Sequence, residues 1–305
     1  MSFVSNATGA FYERSLSQLS DLRGSLEDLQ NQISTGERIS RGSQDPAAAS
    51  RLRALARTER LSQVQADNAD KLARDLDEAG DEVLGVANIL ARARELAILA
   101  ANDPTGESGR AAIAEELVQL EEELFDRANA NTLTGEPLFA GTAAGPAFIR
   151  NPDGSVSYNG NLDSASVPVA PGTDLERGLT GAQVFEFDLN GSPTNAFAVL
   201  STLSAALQPG TPDPSAAARA ALEGLDAAID TTTRSQTVLG TRLAWVEVIQ
   251  DNQQTRALTV AEQQSDLGDT DIGEAVARLQ QTLAALEASQ LSFTRVANLT
   301  LFNAL

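Results

Sequence analysis

The stretch QISTGERISRGSQDPAAASRL, Gln32 to Leu52, interrupts what otherwise reads as continuous helix. Gly36 is a favourable residue to end the preceding helix, Asp45 is a good N-cap, and Pro46 suits a first helical position. A simple connection between two helices is usually much shorter. The spare residues therefore predict a joint whose angle or packing matters. The residues expected to set this joint are Gly36, Arg38, Ile39, Asp45 and Pro46.

Apolar residues recur at spacings of three and four on both sides of the joint, which predicts helices with one apolar face. Before the joint the stripe consists of Leu19, Leu22, Leu26, Leu29 and Ile33. After it a longer stripe holds Leu72, Leu76, Ala79, Val83, Val86, Leu90, Ala93 and Ala97. No proline lies between Pro46 and Asn102, so this stripe can belong to one helix of about 85 Å, at about 1.5 Å per residue. A helix of that length favours a rod over a small globule.

The pattern changes in mid-chain and then returns to helix. A third helical pattern, with Ile113 and Leu117, follows the turn at 101–109. Residues 131–210 are rich in glycine, proline and asparagine, and Phe185, Phe187 and Leu189 alternate with acidic residues as in a strand. Helical periodicity then resumes at about residue 216. The fold class predicted is mainly α: an elongated antiparallel helical rod or coiled-coil bundle formed by the N- and C-terminal arms, with a small β-rich domain inserted in mid-chain.

This pattern divides the chain into three domains. Residues 1–45 with 262–305 are predicted to form a terminal helical domain used in assembly. Residues 46–137 with 211–261 are predicted to form a helical rod, and residues 138–210 the β-rich insert.

The composition excludes several classes of function. The 305 residues include no cysteine and no histidine, which removes disulfides, thiolate nucleophiles, histidine bases and most zinc ligation. With 42 acidic and 22 basic residues the net charge is -20, which repels nucleic acid and anionic lipid. Paired carboxylates such as Glu121 and Glu122 are interpreted as a solvated helix face. We therefore expect no catalytic residue, no cofactor and no metal, and neither nucleic acid nor a membrane as partner.

Several ordered motifs resemble one family. LQNQISTGERISRGSQDPAAASRLRAL at residues 29–55 is similar to the N-terminal signature of bacterial flagellins and their hook-associated relatives. RARELAILAAND at 92–103 and ELVQLEEELFDRANAN at 116–131 resemble the end of that family's first long helix and its return helix. LTGEPLFAGT at 133–142, the run GPAFIRNPDGSVSYNGN that follows, and the ending VANLTLFNAL favour the hook-associated branch that joins hook to filament. Ala147 separates a proline and a phenylalanine that are usually adjacent in that branch.

The resemblance implies an extracellular structural subunit of the flagellum. It would be exported unfolded through the flagellar type III channel without a cleaved signal peptide and would assemble as a homo-oligomeric ring. Its implied partners are a neighbouring hook-associated protein, flagellin, and an export chaperone on the C-terminal arm. In this family the terminal helices order only against neighbouring subunits, which agrees with the cost of ordering an isolated apolar stripe.

The residues expected at the subunit interface are the apolar positions of both arms. They are Leu19, Leu22, Leu26, Leu29, Ile33, Leu279, Leu283, Leu286, Phe293, Leu299, Leu301, Phe302 and Leu305.

Other interpretations remain open from the sequence. The stripe from Leu19 to Ile33 also suits an intramolecular coiled coil. The sequence DTDIGEAV at 269–276 superficially resembles a calcium loop, but Asp271 and Glu274 fit a helix capping box better. A filament flagellin is the nearest alternative function, followed by a type III secreted effector or a cytoplasmic coiled-coil scaffold. A carboxylate-only hydrolase is the most remote.

Overall fold

The computed structural model describes residues 2–102 and 106–302, and within them side chains at 10–102 and 106–296. The helices of these ranges are α1 Ser2–Thr35, α2 Pro46–Ala101, α3 Glu107–Ala128, α4 Gly181–Phe185, α5 Ala196–Ala206, α6 Pro214–Gly268 and α7 Ile272–Phe302. The strands are β1 Phe148–Arg150, β2 Val156–Tyr158, β3 Ser166–Ala170, β4 Thr173–Glu176, β5 Glu186–Leu189 and β6 Ser192–Asn195. The prediction of a mainly α fold with short strands in mid-chain is confirmed.

Helix α2 follows the sequence pattern closely. It begins at Pro46, directly after Asp45, whose carboxylate accepts a hydrogen bond of 3.0 Å from the backbone N–H of Ala48. All eight residues of the predicted stripe from Leu72 to Ala97 are buried. The prediction of one long helix from Pro46 is confirmed, because its period places every apolar residue of the stripe on the same face.

The strands pair as three separate antiparallel hairpins, β1 with β2, β3 with β4, and β5 with β6. The β5–β6 turn consists of Asn190 and Gly191, and both residues have positive φ, 53° and 81°. Positive φ at both central residues is the geometry of a type I′ turn, whose twist matches that of the strands it joins.

Two details of the mid-chain region differ from the prediction. Phe185 is the last residue of α4, so the predicted strand starts one residue later, at Glu186. Residues 196–206, which we placed in the β-rich insert, form α5. This helix carries apolar residues almost all round and has no polar face to reveal a helical period. Asn195 was the usable signal, since its side chain accepts a hydrogen bond of 2.8 Å from the N–H of Ala198 as an N-cap.

The chain separates into two compact units. The terminal unit comprises Met1–Leu61 and Thr255–Leu305, and the central unit comprises Ser62–Gln254. Helices α2 and α6 contribute residues to both. The predicted domain boundaries at residues 45 and 262 stay a prediction.

The core of the central unit is continuous. Apolar side chains of α2, α3, α5 and α6 form one buried cluster with four phenylalanines. Phe148 lies at its centre, with ring centroids 5.0 Å from Phe185 and 5.2 Å from Phe197. Phe139 packs edge-on against Phe185 at 5.8 Å. Aromatic pairs at these distances contribute stability beyond their buried area.

Candidate assembly interface and inter-helix joint

Within the terminal unit, α1 packs antiparallel against α7. Near one end of the pair, the rings of Tyr12 and Phe293 meet at right angles with centroids 5.3 Å apart. Near the other end, the backbone N–H of Thr270 donates to the carbonyl of Gly36 at 2.8 Å. The two predicted terminal stripes therefore face each other within one chain.

The predicted interface residues of this pair are only partly covered. Those that are half-buried are Leu19, Leu22, Leu26, Leu29, Ile33, Leu279, Leu286 and Phe293. Leu283 is 40% exposed. Leu299, Leu301 and Phe302 lie in α7, but their side chains are outside the described residues, and Leu305 lies outside them altogether. The role of the whole set in subunit contact stays a prediction.

The structure exposes further apolar residues that the pattern did not single out. Leu16 is 57% exposed, Leu291 61% and Ile272 55%. Leu16 precedes Leu19 by three residues, so extending the stripe by one step would have found it. In the described part of the terminal unit, the buried apolar residues are few, and they are Ala48, Val260 and Ala275. Two paired helices leave much of their apolar surface uncovered.

The helix break predicted before Pro46 is present, since α1 ends at Thr35 and α2 begins at Pro46. That Gly36, Arg38, Ile39, Asp45 and Pro46 set an inter-domain joint stays a prediction. Gly36 ends α1 with a φ of 75° and donates a backbone hydrogen bond of 2.9 Å to Gln32. A positive φ at the residue after a helix favours glycine. Arg38 lies 3.7 Å from the carboxylate of Asp45, which caps α2, and Ile39 is half-buried.

What the sequence missed is the partner of this joint, the break between α6 and α7. The backbone N–H of Arg38 donates to the carbonyl of Gly268 at 2.6 Å, and its guanidinium donates to the carbonyl of Leu267 at 2.6 Å. Glu37 and Asp269 form an antiparallel bridge. The two helix breaks thus lie side by side and are tied by backbone hydrogen bonds, which fixes both at once.

The segment after this second break begins helix α7 at Ile272. Of the predicted capping box the structure shows the first half, because Asp271 accepts a hydrogen bond of 3.1 Å from the N–H of Glu274. The carboxylate of Glu274 accepts from Arg278 at 2.5 Å. No group of three or more acidic side chains in the described residues has the geometry of a metal site.

In the central unit, the two motif segments that favoured the hook-associated branch, residues 133–142 and 145–161, pack together, and we call them the packed corner. The hydroxyl of Tyr158 lies 3.0 Å from the carbonyl of Phe139 and 2.8 Å from that of Asn161. Gly141 has a φ of 70°, and a Cβ there would lie 2.4 Å from the side-chain oxygen of Asn161. Asn129 bonds both the N–H and the carbonyl of Phe148 at 2.9 and 3.2 Å. The motif residues are thus constrained by packing and hydrogen bonding.

The interpretation of Glu121 as part of a solvated face is wrong. Glu121 is only 7% exposed, because it lies under Arg150, whose guanidinium is 3.5 Å from its carboxylate. Burial raises the pKa of Glu121, while Arg150 opposes the rise and Glu122 adds to it. Arg150 also binds Glu122 at 2.9 Å and stacks over the ring of Phe125 at 5.1 Å. These contacts hold the first hairpin on α3.

A second ionic cluster in the central unit joins α2 to the segments that flank the hairpins. Arg177 donates to the nearly buried carboxylate of Asp75 at 2.7 Å and also binds Glu136. Arg177 and Lys71 lower the pKa of Glu136. No helix in the described residues offers a stretch long and apolar enough for a bilayer.

The fold is that of a mainly helical protein in which the terminal helices α1 and α7 pair antiparallel and the mid-chain segment forms hairpins. The sequence profile of the bacterial flagellin N-terminal helical region matches residues 10–144. The flagellar hook-associated protein 3 of Salmonella typhimurium and that of Escherichia coli are each 29% identical to this chain, over 97% of it and 98% of their own length. The solved structure of flagellar hook associated protein-3 from Legionella pneumophila has a TM-score of 0.64 and 17% identity, over 71% of this chain and 98% of that one.

Together these matches support the bacterial flagellin family for this chain, with the hook-associated protein 3 branch as the most similar. The chain's similarity to the two hook-associated relatives extends over both helical arms and the mid-chain region, and the Legionella structure shares its fold.

Proposed function

We propose that this chain is a structural subunit of the bacterial flagellum that joins the hook to the filament and on which flagellin assembles. The observation that supports this best is the similarity to flagellar hook-associated protein 3 over nearly the whole of both chains. The partly covered apolar residues of α1 and α7 are consistent with it, because they leave apolar surface that a neighbouring subunit can bury. Burial of such surface contributes about 25 cal/mol per Å².

As such a subunit, the chain would act outside the cell after export and would carry out no catalysis. Its partners would be further copies of itself in a ring, a hook-associated protein on one side and flagellin on the other. The apolar stripe of α7 would be the surface that an export chaperone masks before secretion. Terminal residues 1–45 and 262–305 would supply the assembly contacts, and the hydrogen-bonded joint would hold the arms at a fixed angle to the helices that follow.

The test is electron microscopy of flagella from a strain that lacks this protein, with an assay of flagellin in the culture medium. We expect bare hooks, with flagellin lost to the medium as monomer. Filaments that remain attached, merely shorter or altered in shape, would instead identify the chain as one flagellin among several and would overturn the junction role. Complementation with the unaltered chain is the control, and it should restore filaments.

A further inference from the structure

A groove of about 340 Å³ lies in the central unit, between α5, the first turns of α6 and the β5–β6 hairpin. Two buried side chains of α5, those of Val199 and Leu203, line it. The other residues that α5 and α6 contribute are mostly small, such as Ala198, Ala206 and Ala217. Binding pockets have volumes of about 300–1,000 Å³ and are lined mostly by apolar side chains. The groove therefore has the size and the lining of a binding site.

The groove follows two antiparallel helices. Helix α5 ends at Ala206 and α6 begins at Pro214, so a short connection returns the chain alongside α5. The two helices come close at Gly224, where an added Cβ would lie 3.0 Å from the side chain of Val199. The lining residues of α5 extend from Ala198 to Ala206, a length of about 12 Å or roughly two helical turns. Two turns of a further helix fit this length.

Two threonines line the groove with hydroxyl groups that the fold does not use. Thr202 lies on α5 and Thr194 on β6. In the part of the chain that the structure describes, neither side chain forms a hydrogen bond. Thr237 of α6, by contrast, donates to the carbonyl of Thr233 at 3.0 Å. The hydroxyls of Thr194 and Thr202 can therefore bond a molecule in the groove.

Two acidic residues adjoin one end of the groove. Asp188 directly precedes the lining residue Leu189, and Glu223 directly precedes Gly224. An added Cβ on Gly224 would lie 3.6 Å from the side chain of Leu189, so both acidic residues belong to the end beside the hairpin. Asp188 and Glu223 are exposed, and neither takes part in an ion pair with any residue that the structure describes. This end therefore favours a cation.

The basic residue that adjoins the lining is engaged elsewhere. Arg219 precedes the lining residue Ala220, but its guanidinium donates to the carbonyl of Ala101, the last residue of α2, at 3.1 Å. A cation at the C-terminal end of a helix interacts favourably with the helix dipole. Arg219 therefore leaves the two carboxylates beside the groove without a counter-charge.

We propose that this groove binds a helix of a second protein, one whose apolar side chains recur at spacings of three and four and are flanked by lysine or arginine. The apolar side chains cover Val199 and Leu203, and the cations lie against Asp188 and Glu223. A helix suits the groove better than a small molecule does. Ala198 is exposed, so the groove is open to solvent, whereas a small-molecule pocket encloses most of its ligand.

This inference goes beyond the proposed function, since every lining residue belongs to the central unit and none to the predicted subunit interface. The first experiment measures, by fluorescence anisotropy, the binding of a labelled peptide to the purified full chain. The peptide has about 15 residues, with leucine on one helical face and lysine elsewhere. A comparison peptide has the same composition in an order that leaves no apolar face. We expect the first peptide to bind at least about tenfold more tightly, and equal affinities would overturn the proposal.

The second experiment fills the groove. A198F with A220F should weaken binding of the lysine peptide at least about tenfold, because the two rings occupy the space of its leucines. The matched control is A205F with A216F, at exposed alanines of the same two helices that do not line the groove. It should bind within about twofold of the unaltered chain. If circular dichroism melts match and the filled chain binds as well as the control, the peptide lies elsewhere and the groove is not its site.

The third experiment tests the charge. D188K with E223K should weaken binding of the lysine peptide at least about tenfold, and should strengthen binding of a peptide with glutamate in place of lysine. D77K with D81K is the control, because it makes the same change in net charge at exposed residues of α2 outside the groove. Equal weakening by both pairs would mean that the net charge of -20 attracts the peptide, and would overturn the role of the two carboxylates. The junction function is tested separately, on flagella, and stands or falls independently of these results.

Discussion

The two units of this protein bury their apolar side chains to very different extents. In the central unit, Phe148, Phe185 and Phe197 are almost fully covered by side chains of the same chain. In the terminal unit, Phe293 of α7 meets Tyr12 of α1 but stays half-buried. The buried phenylalanines stabilise the fold of a single chain. The half-buried Phe293 still has apolar surface that a further contact could bury. Equally clear helical patterns in the sequence can therefore form a fully buried core, as in the central unit, or a partly exposed helix pair, as in the terminal unit.

The largest expected effect compares phenylalanines of the two units. Phe148→Ala should lower the free energy of unfolding of the central unit by about 3–5 kcal/mol, because it leaves a cavity in a packed core. Phe293→Ala should lower stability by only about 1 kcal/mol, since the ring is already half-exposed. Denaturant unfolding followed by circular dichroism measures both. Equal losses of unfolding free energy in the two variants would contradict the difference in burial between the two units.

The next effect concerns a glycine of the corner built by the family motifs. Gly141→Ala should cost about 2–4 kcal/mol, because it combines a positive φ with a contact of 2.4 Å to Asn161. Gly154→Ala is the matched control: its φ is 87°, but no atom lies within 4 Å of the added Cβ. That variant should cost only about 1 kcal/mol. If the two melting temperatures fall together, the close approach of Asn161 is not what requires glycine.

A smaller effect should appear as a dependence of stability on pH. Burial raises the pKa of Glu121 in the folded protein, so its contribution to stability is complete below the ordinary carboxyl pKa and is lost as pH rises through the raised value. Glu121→Gln should remove this loss of stability at higher pH, because glutamine does not ionise.

Arg150→Met should raise the pKa of Glu121 further, so that the loss of stability extends to higher pH. Because Arg150 is partly exposed, this variant should lower the free energy of unfolding by only about 1–2 kcal/mol at neutral pH.

Glu136 should behave in the opposite sense. Arg177 lowers its pKa, so its contribution is present above the ordinary carboxyl pKa and is lost as pH falls through the lowered value. Unfolding measured from acid to neutral pH, for Glu136→Gln beside Glu121→Gln, should give slopes that change in opposite directions. Changes in the same direction would contradict the distinction between the two carboxylates.

The smallest effect on stability should accompany the largest effect on assembly. Leu283→Asp replaces a side chain that is 40% exposed and should cost less than about 1 kcal/mol, mostly helix propensity. We nevertheless expect it to abolish incorporation into flagella, because it places a charge in the predicted interface.

The matched control is Leu84→Asp on α2 of the central unit, which is 45% exposed and lies outside the predicted interface. It should have a similar melting temperature and should incorporate. Quantitative immunodetection on isolated flagella distinguishes the two variants, and normal incorporation of Leu283→Asp would remove α7 from the assembly surface.

The sequence alone determined the long helices of this protein and the break between α1 and α2. Long runs with apolar residues at spacings of three and four permit one secondary structure, and Gly36, Asp45 and Pro46 mark where a helix must end and another begin. The buried stripe of α2 follows from the same periodicity. These features are local, so neighbouring residues suffice to predict them.

Only the tertiary structure decided what depends on residues distant in sequence. Glu121 is buried and not at the surface, because Arg150 of the first hairpin covers it. The tertiary structure placed the break after Gly268 beside the break after Thr35, and it made α5 helical within an apolar surround that hides its period. Burial and register depend on which distant segments of the chain come into contact. The local sequence pattern does not specify those contacts.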